Sequence, residues 1–280
     1  MDISISDLWF SFPGKIDAIR GISLKILAGE QVAIVGQNGA GKTTLVKHLN
    51  GLLKPTKGEV LIGGWNTSEH TTAELASRVG YVFQNPDQQL FSSTVYDEVA
   101  FGPKNLGFDE GRIESLVEDA LVLTQLTEYK QTNPYELSAP WRKLIAVASI
   151  LSMDTDIVIL DEPTTGQDGA NIERFAHIVK TLKDRKKTVI TITHDIDFCA
   201  ENFERIITLA QGRVLLDGRV EDVIFEEEIL AMAYVDPPQI ARLSKLVGLS
   251  SQAYTSEVFI CALKKDLEEK TSVPAKEKLL

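Results

Sequence analysis

The chain has 280 residues, 44% hydrophobic and 25% charged, with a formal net charge of -11. This suits one large globular domain or two smaller ones, and the acidic excess argues against nonspecific binding to nucleic acid or an anionic membrane surface. Met1-Asp2-Ile3-Ser4 lacks the basic start and apolar run of a secretory signal, and no stretch approaches the roughly 18 apolar residues of a membrane span.

Residues 3–12 and 22–26 alternate in the manner of antiparallel strands, the first ending in "WFSFPG" with Phe12. The apolar run 31–35 then leads into Gly36-Gln37-Asn38-Gly39-Ala40-Gly41-Lys42-Thr43, which fits the phosphate loop G-x-x-x-x-G-K-[ST]. Its glycines let successive backbone N–H groups curl around one phosphate, Lys42 adds a point charge, and the Thr43 hydroxyl can bind Mg²⁺. A helix beginning near Lys42 and running through Thr44 presents its positive end to the same anion.

Further buried strands are expected at 79–83, 157–160, 188–193 and 205–209, with helices beginning near Asn171 and Ile196. That order predicts an α/β core with a mostly parallel sheet, an antiparallel β subdomain before it and a helical subdomain inserted at about residues 87–153. "GRVLLDG" predicts a hairpin-like ending, and helical material restarts near Val220. The main domain is assigned to residues 1–230. Asp236-Pro237-Pro238 breaks the C-terminal extension, residues 231–280, which is expected to fray beyond about Leu267. The two cysteines, Cys199 and Cys261, lack metal-like spacing and are expected as buried free thiols.

The run Ile157-Val158-Ile159-Leu160-Asp161-Glu162 ends in two carboxylates. Beside a phosphate loop, Asp161 is suited to holding Mg²⁺ and Glu162 to polarising an attacking water. The phosphate loop, Gln84, the helical insert, "ILDEPTTGQD" and "TITHD", in this order, resemble the ATP-binding subunit of an ABC transporter. The resemblance covers roughly residues 2–225. It implies ATP and Mg²⁺ as ligands and a head-to-tail pair of such subunits, each nucleotide lying between one phosphate loop and the other subunit's signature helix. It further implies adenine stacking by Phe12, contact of Gln84 with Mg²⁺ and the attacking water, γ-phosphate contact by His194, and a dimer-spanning loop at Asp168. Around that aspartate, Gln167 and Gly169 depart from the family's leucine and proline.

"FQNPDQQLF", "TVYDEVAFGPKNLGF" and "DPPQIARLSKLVGL" resemble the ATPase of energy-coupling-factor importers, which carry vitamins or transition-metal ions. This implies a transmembrane scaffold subunit with coupling helices, a separate membrane substrate-capture subunit, and a peripheral location at the cytoplasmic face of the membrane. Leu90, Phe91, Phe101 and Leu106 are expected to help line the coupling groove.

The family's signature Leu-Ser-Gly-Gly-Gln is altered to Leu137-Ser138-Ala139-Pro140-Trp141, with Leu144 where an arginine is expected. Ser138 remains a suitable N-cap, and proline is compatible with a helical first turn. Yet Ala139 adds a Cβ and Pro140 removes an N–H, so the helix is predicted to be a poor stabiliser of the site it faces. Because signature helices act in trans, a heterodimer with a better-formed partner is preferred over a homodimer. The alternatives are a nucleotide-binding regulatory subunit with little hydrolysis, or a soluble ABC ATPase outside transport.

Overall fold

Two sheets carry the site in the computed structural model, which describes residues 1–14, 16–249 and 251–272. The strands are β1 (Ile3–Phe12), β2 (Ile16–Ile26), β3 (Gln31–Val35), β4 (Lys57–Ile62), β5 (Trp65–Asn66), β6 (Val79–Val82), β7 (Ile157–Asp161), β8 (Thr188–Thr193), β9 (Arg205–Ala210) and β10 (Arg213–Arg219). Among the described residues, a six-stranded sheet has the order β10-β9-β3-β8-β7-β6, and a four-stranded sheet the order β2-β1-β4-β5. Within the larger sheet β6, β7, β8, β3 and β9 pair in parallel and only β10 is antiparallel. The smaller sheet is antiparallel throughout, so the predicted fold class holds.

The helices are α1 (Lys42–Leu49), α2 (Thr72–Leu75), α3 (Val95–Asn105), α4 (Glu110–Leu123), α5 (Ala139–Leu151), α6 (Gly169–Asp184), α7 (Ile196–Asn202), α8 (Val220–Val223), α9 (Glu227–Met232), α10 (Gln239–Val247) and α11 (Ser256–Ser272). Short polar side chains start several of them. Thr94 accepts from Asp97 N ahead of α3, Asp109 from Arg112 N ahead of α4, and Asp168 from Asn171 N ahead of α6. Each satisfies a first-turn N–H that the helix itself cannot pair.

The period-two alternation of the buried strands divides the interior into two layers. Ala33 and Val35 of β3, with Val158 and Leu160 of β7, face the cluster holding α3, α4, α5 and α6. Val32 and Ile34, with Ile157 and Ile159, face the cluster holding α1 and the smaller sheet. The inserted helices thus share their core with one face of the larger sheet, and their position is tied to it.

That core continues through Leu230, Ala233 and Val235, and the Gln37 amide of the phosphate loop donates to Ala233 O at 2.9 Å. A second attachment joins Gln239 N, at the start of α10, to Asp197 Oδ1 at 2.8 Å. The expected fraying begins within α11, which runs to Ser272; residues 273–280 lie outside the described residues. The cysteine expectation is half right: both are free, and Cys199 is buried, which raises its pKa, but Cys261 is exposed. No described helix is long and apolar enough to cross a membrane.

Candidate active site

The loops that follow β3, β6, β7 and β8 meet at the C-terminal edge of neighbouring parallel strands, where open α/β sheets bind ligands. In the first loop, Gly36 has φ 150° and a Cβ there would lie 2.2 Å from Leu209 O. Gly41, the N-cap of α1, has φ 104° and a Cβ there would lie 2.7 Å from Ala18 O. Only glycine fits this curl. Lys42 Nζ donates to Gly36 O at 2.5 Å and to Gln37 O at 3.2 Å. Burial lowers the lysine's pKa, against the attraction of Glu162 and Asp161.

A cleft of about 300 Å³ opens over the loop. Phe12, Asn38, Gly39, Gly41, Lys42, Thr43, Thr44, Gln84 and Glu162 all line it, so most of the predicted site converges there. Phe12 stands half exposed at the end of β1, braced edge-on by Phe10 with ring centroids 4.9 Å apart. Gly36 and Asp161 sit behind the wall, with Thr43 Oγ1 donating to Asp161 Oδ2 at 3.3 Å.

The donor set fits a divalent cation. Asp161 is buried, its Oδ2 also accepts from Tyr81 OH at 2.6 Å, and its Oδ1 has no hydrogen-bond partner. Burial raises the Asp161 pKa, the Tyr81 hydrogen bond opposing that effect. No group of three His, Cys, Asp or Glu residues suited to a metal occurs among the described residues. One carboxylate, a hydroxyl and ligand oxygens are the set that magnesium takes beside phosphates.

Glu162 follows Asp161 in the left-handed region, with φ 48°. That conformation is strained for a residue with a Cβ. It is held by Glu162 N donating to Ile192 O at 2.8 Å, and by Thr165 and Thr193 hydroxyls donating to Oε2 at 3.2 and 3.3 Å. His194 Nδ1 lies 2.9 Å from the same Oε2, which leaves Nε2 for a second partner. His194 is largely exposed and borders a neighbouring cavity of about 620 Å³, lined also by Gly166, Tyr234 and Arg242.

Ser138 and Asp168 lie away from this cleft. Asp168 is exposed, and its carboxylate caps α6. Ser138 occupies the N-cap of α5, but its hydroxyl makes no capping hydrogen bond, contrary to the expectation from its residue type. Trp141 folds back onto its own subunit: its ring lies 5.0 Å from that of Tyr129 and 4.9 Å from the Arg174 guanidinium carbon. Arg174 in turn reaches Asn171 and Gln125. The aromatic thus ties the start of α5 to the start of α6. Trp141→Ala is expected to lower stability by about 1–3 kcal/mol through lost packing, read as a drop in chemical-denaturation midpoint; an unchanged midpoint would contradict this role.

Of the predicted groove residues, Leu90 is corrected to the core, where Tyr135 OH donates to its carbonyl at 2.7 Å. Phe91 and Phe101 are exposed and stack edge-on at 4.7 Å, and Leu106 is half-buried.

Three residues around the site escaped the sequence reading: Tyr81, Gln89 and Lys143. Gln89 accepts from Phe83 N at 3.1 Å and donates to Ala146 O at 2.8 Å, fixing the entry to Gln84. Lys143 is 3% exposed, and burial lowers its pKa to about 8, against Asp161 and Glu162. The available signal was helical spacing, since Ala146, Val147 and Ile150 share its face of α5 and are apolar.

The family model described as "ABC transporter" matches residues 19–165. An ABC transporter ATP-binding protein of Methanosarcina acetivorans is 43% identical over 86% of the chain, which spans only 39% of that relative. The energy-coupling factor transporter ATP-binding protein EcfA of Methanoculleus marisnigri is 40% identical over 90% of the chain and 92% of its own length. Among solved structures, cbiO1 from Clostridium perfringens, part of the ABC transporter complex cbiONQ, aligns with a TM-score of 0.75 at 32% identity, covering 88% of this chain and 98% of that one.

Proposed function

Because the chain belongs to the ABC transporter family of ATP-binding proteins, we propose that it is the ATP-hydrolysing motor subunit of an energy-coupling-factor-type importer for a vitamin or a transition-metal ion. The observation that carries the hydrolytic part is the convergence of Lys42, Thr43, Gln84 and Glu162 on one cleft, with Asp161 directly behind it and His194 2.9 Å from Glu162. The importer class is supported by the likeness to EcfA and cbiO1 along most of the chain.

In this reading Phe12 stacks on adenine, the loop amides and Lys42 hold the phosphates, and Thr43, Asp161 and Gln84 hold Mg²⁺. The ion, when bound, neutralises charge between the β- and γ-phosphates. Glu162 accepts a proton from the water that attacks the γ-phosphorus as the bond to the bridging oxygen breaks, and His194 Nε2 contacts the γ-phosphate. Phe12→Ala is expected to weaken ATP binding about 5- to 150-fold, the value of one base–aromatic stack. Equilibrium binding of a fluorescent nucleotide checks this, and unchanged affinity would remove Phe12 from the site.

The partners proposed are a second ABC ATPase subunit, a transmembrane scaffold with coupling helices, and a membrane substrate-capture subunit; none is a nucleic acid. The exposed Phe91–Phe101 pair suits contact with a coupling helix. The chain would then act at the cytoplasmic face of the membrane as a peripheral subunit. A heterodimer is favoured because this chain keeps its own cleft residues while Pro140 removes one amide donor from the helix it offers in trans. The same proline favours the second reading, a regulatory subunit that binds ATP with little hydrolysis. Comparing ATP turnover by the isolated chain with that of the complex purified from native membranes separates the readings. Fast turnover by the complex alone supports the motor in a heterodimer; slow turnover in both supports regulation.

A further inference from the structure

The pairing of β6 with β7 ends at Val82 and Leu160. Beyond it the chain runs through Phe83 to Gln84 on one side and through Asp161 to Glu162 on the other, and Gln84, Asp161 and Glu162 are the residues assigned to the metal and the attacking water. Lys143, on the second turn of the altered signature helix, reaches into this gap. Its Nζ donates to Phe83 O at 2.8 Å, Gln84 O at 2.8 Å and Asp161 O at 2.9 Å. Three carbonyl dipoles thus converge on one buried ammonium, whose three N–H donors they match. Without that cation the carbonyls would repel one another and lack partners in a low-dielectric setting, and the strand ends would separate.

The arginine that the family resemblance places at 144 is here Leu144, which is fully buried in the core. Of the two cations on this helix, Arg142 pairs with Asp87, whereas Lys143, one position before Leu144, reaches the backbone behind this chain's own cleft. We infer that Lys143 is a positioning residue: its ammonium fixes the backbone at Gln84 and Asp161, and so sets the geometry with which their side chains hold the metal of bound nucleotide. Tyr81 and Thr43 complete the arrangement by occupying Asp161 Oδ2 and leaving Oδ1 free. Because Lys143 lies on the same helix as Ser138, it also gives the altered signature a direct mechanical link to the site in its own chain.

The inference rests on the cleft being a metal–nucleotide site, but not on the importer or heterodimer reading. Mn²⁺ binding to the full-length chain saturated with a non-hydrolysable ATP analogue, followed by electron paramagnetic resonance, provides the test. Supporting-residue changes around a metal typically weaken its binding about 10- to 100-fold. Lys143→Met is expected to weaken Mn²⁺ binding by about tenfold or more and to leave metal-free nucleotide affinity within about twofold; Lys143→Arg, whose planar guanidinium cannot turn three donors of one nitrogen to the carbonyls, is expected to recover only part of the loss. Lys143→Gln keeps an amide donor and is expected to lose about threefold; it serves as the deciding variant if Lys143→Met does not fold. Lowered thermal stability with unchanged Mn²⁺ affinity in the folded variant would overturn the positioning role. A wild-type chain that binds no metal with the nucleotide would overturn the site reading as well.

Discussion

Glu162→Gln is expected to lower ATP turnover of the assembled complex by about 10²- to 10⁴-fold, the range for loss of a positioned general base. Nucleotide affinity should change little, because Lys42, Thr43 and the loop amides remain. The amide is nearly isosteric with the carboxylate and can still contact the Thr165 and Thr193 hydroxyls, so the left-handed backbone at φ 48° is not the part being tested. What disappears is the negative charge that accepts a proton and faces His194 at 2.9 Å. Single-turnover hydrolysis beside equilibrium nucleotide binding makes the measurement. Undiminished hydrolysis would exclude Glu162 as the base, and undiminished transport by the variant complex would favour the regulatory reading.

Restoring glycine at both altered positions, Ala139→Gly with Pro140→Gly, is expected to accelerate the isolated chain about a hundredfold. That is the lower end of the effect of one oriented donor at a developing charge, about 2.7–4 kcal/mol. Pro140 has no N–H to give, and the Ala139 Cβ stands on an exposed surface where close approach is needed. Trp141 is left in place because its contacts with Tyr129 and Arg174 hold α5 to α6. In the complex with a partner whose signature is intact, the same change should alter total turnover less than about twofold, since the fast site uses the partner's helix. Steady-state ATPase assays of both preparations make the comparison. An isolated wild-type chain as fast as the complex would remove the argument for a heterodimer.

The contrast between Lys42 and Lys143 shows what could be read in advance. Lys42 belongs to a contiguous run whose glycines, lysine and hydroxyl act on one phosphate, so the chemistry is written in eight consecutive residues. Lys143 acts on carbonyls some 60 residues earlier and 18 residues later, and no local spacing names those partners. Ser138 illustrates the limit of residue type: it stands at the expected N-cap without making the expected bond. Leu90 is expected in the coupling groove from the resemblance, as is Phe91, whereas packing against the inserted helices puts Leu90 inside and leaves Phe91 exposed.

The sequence by itself determined the phosphate loop, the acidic strand end, the five parallel strands of the core in chain order, and the missing amide at Pro140, because each depends on covalent neighbours and backbone sterics; it did not show β4 and β5. Only the tertiary structure decided that β3 lies between β8 and β9, and that β6 and β7 are neighbours, so that the loops after β3, β6 and β7 share one cleft with His194 at its border. It alone decided that Tyr81 and Thr43 hold one oxygen of Asp161, that Trp141 turns back into its own subunit, and that Lys143 bridges two strand ends. Those contacts follow from how two layers pack around one sheet, and close packing brings together groups that the chain itself keeps far apart.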